Sequence, residues 1–251
     1  MNPFFMGPER KRLYGLYHPP VLRGPGGKGV VLCNPLGSES SRAHRSFRIL
    51  SDSLARSGWH VLRFDYRGTG DSAGDVDSVT LNDWVEDIGV AINELRAIAE
   101  LKGVHLLGLR LGALLATAAG LRHADTQGLI LWDPVDLRSQ SVLGAQWTGQ
   151  LDQPVPMDSG GAANVRDFEQ MLLEIKKEPR ESHSSWPHQA LVLGSKLIPD
   201  RFRELIGQNL RRMAFEETDA PPPWLEESNF GAGPVSARAI QTISTWTGLA
   251  P

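Results

Sequence analysis

The stretch Val104-His105-Leu106-Leu107-Gly108-Leu109-Arg110-Leu111-Gly112-Ala113-Leu114-Leu115-Ala116 decides how this chain folds. Val104 to Leu107 is an apolar run of the kind found in strands buried on both faces. Leu111 to Leu121, rich in alanine and leucine, reads as a closely packed helix. Between them, Gly108-Leu109-Arg110-Leu111-Gly112 has the Gly-x-X-x-Gly frame of a sharp strand-to-helix turn. The glycines are needed because the central residue takes a strained backbone on a turn too tight for neighbouring side chains. Serine works as a nucleophile at such a centre because a nearby histidine removes its proton. Arg110 cannot: its guanidinium stays protonated and attacks nothing.

Working outward, strands and helices alternate. Leu13 to Tyr17, Val30 to Cys33, Trp59 to Phe64, Gly128 to Trp132, Ala190 to Gly194 and Leu210 to Phe215 read as strands. Phe47, Leu50 and Leu54 recur at helical spacing and stop at Gly58. Leu81, Trp84, Val85, Ile88, Ile92 and Leu95 form one helical stripe, with Asp83, Glu86, Asp87 and Glu94 expected away from it. Thr80 is the expected N-cap, and Asp83 adds negative charge to the first turn. Val165 to Lys177, Arg201 to Ile206 and Ser236 to Trp246 read as further helices. The alternation specifies an α/β fold, a mostly parallel twisted sheet with helices on both faces. Between about Arg138 and His188 the rhythm is lost, as in an inserted lid. The expected organisation is therefore a core over residues 1–137, a lid over 138–188, and the rest of the core over 189–251.

The 251 residues suffice for one such domain. A net charge of −3 gives no basic field for nucleic acid. No apolar run approaches the roughly 18 residues needed to span a bilayer. The single cysteine, Cys33, excludes an internal disulfide and fits a reducing compartment, so a cytoplasmic location is expected. The segment Met1 to Met6 lacks the basic-then-apolar pattern of a signal peptide. No metal-ligand spacing, Walker loop or dinucleotide fingerprint is visible, and no cofactor is expected.

Several blocks together resemble the α/β-hydrolase superfamily. They are Phe4-Phe5, Leu16-Tyr17-His18-Pro19-Pro20, Ala43-His44-Arg45, Phe64-Asp65, Gly70 to Asp75, Trp84 with Asp87, Gly108 to Ala116, and Leu131-Trp132-Asp133-Pro134-Val135. Within the superfamily the chain is similar to the serine-aminopeptidase-like branch that includes the second hydrolase associated with exosortase A systems. The match is dense over about residues 4–136 and weak afterwards. Gly-Leu-Arg-Leu-Gly-Ala also occurs in the exosortase-linked group, which makes Arg110 a group feature. The resemblance implies the α/β-hydrolase fold and assigns roles position by position. The nucleophile position falls on Arg110, so that role is absent. Oxyanion-hole donors would be the backbone N–H groups of Leu111 and of a residue in Asn34-Pro35-Leu36-Gly37, with Leu36 preferred because Pro35 has none to give. The triad acid would be Asp133 or Asp200. The triad histidine belongs near the C-terminus, but the last histidine is His188, and the Pro221-Pro222-Pro223-Trp224 neighbourhood fills its slot.

Each candidate has a structural alternative. Arg110 is either an anion clamp beside Leu36, Gly37 and Leu111 or a salt-bridged filler paired with Asp133 or Glu39. Asp133 is either a proton carrier or a loop-capping carboxylate, and His44, placed at the beginning of a helix, is either a pocket group or a surface residue. Ser38, Ser40 and Ser41 have no visible base to activate them. Cys33 and His105 read as core residues, and Asp71 and Ser72 as groups that bond local backbone. The expected function is an enzyme, without an acyl-enzyme intermediate, acting on a small or carrier-bound acyl or carboxylate-bearing metabolite, in a biosynthetic setting. Arg110 and the oxyanion loop would hold the oxygen, and Asp133, His44 or Glu39 would move a proton. The alternatives are a pseudohydrolase that only binds a ligand or partner, and a hydrolase with a non-standard nucleophile. Nucleic acid and a membrane span are not expected, and a homodimer is left open.

Overall fold

The computed structural model describes residues 1–21, 27–134, 189–194, 212–218 and 235–246. Strands β1 (Asn2–Met6), β2 (Leu13–His18), β3 (Lys28–Cys33), β4 (Trp59–Phe64), β5 (Val104–Leu109), β6 (Thr126–Trp132), β7 (Gln189–Gly194) and β8 (Arg212–Glu217) form one sheet. Its order is β1-β2-β4-β3-β5-β6-β7-β8. β1 pairs antiparallel with β2, and β2 with β4; every later pairing is parallel.

Helices α1 (Ser38–Arg56), α2 (Leu81–Ala99), α3 (Leu111–Arg122) and α4 (Ala237–Trp246) cover the two faces. Trp84, Ile88 and Leu95 of α2 and Leu114 and Ala118 of α3 pack on one face, with Val31, Leu62 and Leu106 of the sheet. Phe47, Leu50 and Leu54 of α1 and Ile240 and Ile243 of α4 pack on the other, with Val30, Val61 and Leu107. The two-residue period of the strands supplies one apolar row to each layer, which is why the central strands read as unbroken apolar runs. Burial of Trp84 and Phe47 alone contributes about 1.5–3 kcal/mol each.

Connections place the site. The chain leaves β3 through α1 to β4 on one side, then crosses back through α2 to β5 on the other. The direction reverses at β3, and open α/β sheets bind ligands in the crevice at the carboxyl ends of strands flanking such a reversal. The segments found there are Asn34 to Gly37 after β3 and the turn at Arg110 after β5.

The expected strands and helices are present wherever the expectations fall on described residues, with differences that have physical reasons. The N-terminal strand β1 was not anticipated, because five residues beginning Asn-Pro carry too little alternation. Its Phe5 meets the Tyr14 ring edge-on at 5.5 Å and lies under the Arg12 guanidinium at 4.2 Å. Helix α1 begins at Ser38, so His44 lies in its second turn rather than at its beginning. Asp87, expected on the solvent side of α2, is buried because Arg67 comes to it: the Arg67 N–H and Nε donate to its carboxylate at 2.9 and 2.6 Å. Thr80 caps α2 in a reciprocal box with Asp83, each side chain accepting from the other's backbone N–H.

In the Gly68 to Asp75 run, Ser72 bonds local backbone as expected, donating to the Asp65 carbonyl, and it also accepts from the distant Tyr14 N–H. The carboxylate that organises the turn is that of Asp65, which accepts from the Asp71 N–H. The lid expected over 138–188, its helix Val165 to Lys177, the helix Arg201 to Ile206, Asp200 and the Pro221 to Trp224 segment lie outside the described residues. Among the described residues, no helix is long and apolar enough to cross a membrane.

Candidate functional site

Arg110 stands at the N-cap of α3 with φ 57° and ψ −122°. Positive φ in a non-glycine residue is strained and persists only where the surroundings enforce it. Here backbone enforces it. A Cβ on Gly108 would lie 2.2 Å from the Gly112 carbonyl oxygen, and one on Gly112 would lie 2.2 Å from that of Cys33. Helix α3 therefore presses its first turn against the end of β3, which only glycine permits. The Arg110 N–H donates to the Trp132 carbonyl at 3.1 Å, tying the turn to β6.

The same contact brings the two expected oxyanion segments together. Asn34 Nδ2 donates to the Phe64 carbonyl at 2.9 Å and anchors the loop after β3. Gly37, at φ 59°, turns the chain into α1. Leu36 and Leu111 flank this junction as buried residues. Leu111 is the first residue of α3, so its N–H belongs to the helical turn that has no intrahelical acceptor.

Around the guanidinium the structure gathers two carboxylates. Arg110 Nε donates to Glu39 Oε1 and Oε2 at 3.2 and 3.3 Å. Its Nη1 reaches the carbonyl oxygen and Oδ2 of Asp133, both at 3.4 Å. Arg110, Glu39 and Asp133 are 7%, 5% and 8% exposed, so the cluster is nearly dry. Glu39 comes from the first turn of α1. Asp133 follows β6 at φ 43°, with its N–H donating to the Leu193 carbonyl at 2.6 Å.

Burial pushes the Glu39 carboxyl up to about 7, outweighing the downward pull of Arg110 and Arg42; the nearby Asp133 adds to the rise. Glu39 thus gains and loses its proton near neutral pH although it touches a guanidinium. Arg42, one helical turn from Glu39, was missed in the sequence, and only its i+3 spacing could have signalled it.

His44 is exposed. Partial desolvation of its ring, followed by the charges of Arg63 and Arg48, lowers its pKa below the usual imidazole value. The charges it senses are those of Arg63, Arg48 and Asp65, and the structure gives it no hydrogen bond to the Arg110 cluster. Cys33 is fully buried, and burial raises its thiol pKa strongly. His105 is buried and packs edge-on against Trp59 at 5.0 Å and Trp246 at 6.3 Å. Among the described residues, no group of three His, Cys, Asp or Glu side chains could hold a metal ion. No histidine occurs in the sequence after β8.

The site therefore brings together a buried carboxyl whose pKa is raised to about 7, a guanidinium beside it and the first turn of α3. It holds no serine at the turn. The family model described as serine aminopeptidase, S33, matches residues 27–153. No curated protein matches the chain. Among solved structures, the enol-lactonase from Burkholderia xenovorans LB400 is 20% identical, with a TM-score of 0.59 over 98% of this chain and 100% of that one. Est1E from Butyrivibrio proteoclasticus, solved with ferulic acid bound, is 12% identical, with a TM-score of 0.65 over 97% of each chain. An alpha-beta serine hydrolase homologue from Coxiella burnetii is 14% identical, with a TM-score of 0.57 over 99% of this chain and 97% of that one.

Proposed function

We propose, from the premise that this chain belongs to the serine aminopeptidase S33 family and has the α/β-hydrolase fold, that it is a proton-transfer enzyme forming no acyl-enzyme. Its substrate would be an acyl or carboxylate-bearing metabolite, small or carrier-bound. The observation that carries this reading is the Arg110–Glu39 contact with the Glu39 carboxyl near 7. A general base works best when its pKa lies near the working pH.

The two groups are coupled. Ionised Glu39 occupies Arg110; once it takes the substrate's α-proton it is neutral, and its hold on the guanidinium weakens. The electron pair left on the substrate moves to the carbonyl oxygen, where the freed Arg110 and the N–H groups of Leu36 and Leu111 would stabilise it. Asp133 keeps the guanidinium in place throughout. Gly37, at φ 59°, turns the chain into α1, whose first turn carries Glu39. His44 is the weaker candidate for proton transfer, given its exposure and different charge neighbours. A biosynthetic setting is supported by the resemblance of Gly-Leu-Arg-Leu-Gly-Ala to the exosortase-linked group.

One observation favours a second reading, a binding protein without chemistry: Arg110 already has its charge met by two acids of the same chain. Incubating 3-oxoacyl thioesters and 2-substituted carboxylates with the protein in D2O separates the two. Proton transfer predicts deuterium at the α-carbon, elimination or ring closure, followed by NMR. Glu39→Gln should reduce the rate by about 100-fold or more. Ester hydrolysis accompanied by stoichiometric fluorophosphonate labelling of a serine would refute the proposal, and binding of these compounds without exchange or turnover would favour the second reading.

A further inference from the structure

Three arginines are buried among the described residues, and two of them have carboxylates in contact. Arg67 is held by Asp83, Glu86 and Asp87, and Arg110 by Glu39 and Asp133. Arg63, 7% exposed in β4, has no carboxylate within ion-pairing distance among the described residues, and its Nε is buried with no hydrogen-bond partner. A guanidinium left this way costs free energy, and its planar fork suits an oxyanion.

Register shows what surrounds it. Arg63 pairs with Leu16 of β2, and two residues away Val61 pairs with His18. Val61 packs in the layer beneath α1, so Arg63 and His18 face α1 as well. His18 is buried; its Nδ1 lies 3.2 Å from Asp52 Oδ1, and its Nε2 is buried without a partner. His44, Arg48 and Asp52 recur every fourth residue of α1 and so share one stripe. Arg63 senses the charges of Asp65, Asp52 and Arg48, and His44 senses Arg63. Neither acid reaches ion-pairing distance of Arg63: Asp52 contacts His18 at 3.2 Å, and Asp65 accepts from the Asp71 N–H at 3.2 Å.

We propose that Arg63, with His44 and Arg48 of α1 facing it, forms a second anion site for a phosphate or carboxylate group. It lies on the α1 flank of the sheet and apart from the turn at Arg110, because β3 stands between β4 and β5. Arg63 forms its floor, beside His18 whose Nδ1 faces Asp52, while the exposed His44 and Arg48 form its rim.

The test titrates inorganic phosphate, and in parallel sodium acetate, into the 251-residue protein at constant ionic strength with chloride as control. Thermal unfolding and the arginine Nε–Hε resonances are followed. Phosphate at ten times its Kd should raise the melting temperature by about 3–5 °C. It should also move one resonance, the one missing in Arg63→Met. Arg48→Met should weaken binding about tenfold, whereas Arg110→Met should leave the phosphate effect intact. A larger response to acetate than to phosphate would assign the site to carboxylates. The same stabilisation in Arg63→Met as in the wild type, or no response to either anion beyond chloride, overturns the proposal. A response lost in Arg110→Met alone would place the anion at the turn, overturning this inference while supporting the proposed function. If Arg63→Met does not fold, wild-type phosphate affinity in Arg48→Met overturns it.

Discussion

Replacing Arg110 with methionine tests the cluster most directly. Methionine keeps much of the packing of the side-chain stem and removes the charge with its four contacts, at 3.2, 3.3, 3.4 and 3.4 Å, to Glu39 and Asp133. The strained backbone at φ 57° burdens both side chains equally, so it cancels. What remains is two carboxylates, 5% and 8% exposed, without their cation. Stranding one side of a buried pair costs about 3–5 kcal/mol, or a fall in melting temperature of about 10 °C at this chain length.

The loss should depend on pH. The Glu39 carboxyl has moved from its usual 4.5 to about 7, so between those values the folded state binds more protons than the unfolded one. Its contribution therefore makes wild-type stability fall as pH rises through this window and level off above 7. Without Arg110 the folded pKa rises further, and the fall continues to higher pH. Urea and thermal melts at pH 6 and pH 8 should show a smaller gap between variant and wild type at pH 6. A variant as stable as wild type at pH 8 would refute the buried ion cluster. A large stability loss with unchanged turnover would remove Arg110 from the proposed mechanism.

Two further substitutions test the frame. Gly112→Ala puts a Cβ 2.2 Å from the Cys33 carbonyl oxygen and should cost about 3 kcal/mol or more in a urea melt; an unchanged midpoint would show that α3 is not pressed against β3. Thr80→Ala breaks the cap of α2 and should cost about 1 kcal/mol by the same assay, with no change in activity. A neutral result there would mean the Asp83 side chain alone secures the helix start.

Much of the fold was legible because its signals are local. The apolar runs at Val30 to Cys33 and Val104 to Leu107 sit in the centre of the sheet, and Trp84, Ile88 and Leu95 kept the helical period that buries them. The turn at Arg110 was legible from its glycines, which answer to backbone collisions between neighbouring segments. Glu39 and Asp133 were named as partners of Arg110 because each lies beside a strand end that the fold brings there. Long-range pairing was not legible. Asp87 reads as one more solvent-facing acid of α2 until Arg67, twenty residues away in sequence, is seen to reach it. Arg63 passed unnoticed for the same reason, since a lone cation in a strand looks edge-facing until its register with Leu16 and Leu32 is known. The raised pKa of Glu39 depends on how dry its surroundings are, a property of three segments at once.

The collision between α3 and the end of β3 has a consequence for chemical versatility. Because main-chain atoms of Cys33, Asn34 and Gly112 hold the turn in shape, position 110 works as a socket whose form is indifferent to the reagent plugged into it. Any unbranched side chain there leaves the backbone at the same angle, at much the same backbone cost. A serine inserted by Arg110→Ser would be aimed like a nucleophile yet lack a histidine after β8 to activate it. Swapping the reagent takes a single codon, whereas rebuilding the circuit that drives it takes changes on strands far apart in the chain.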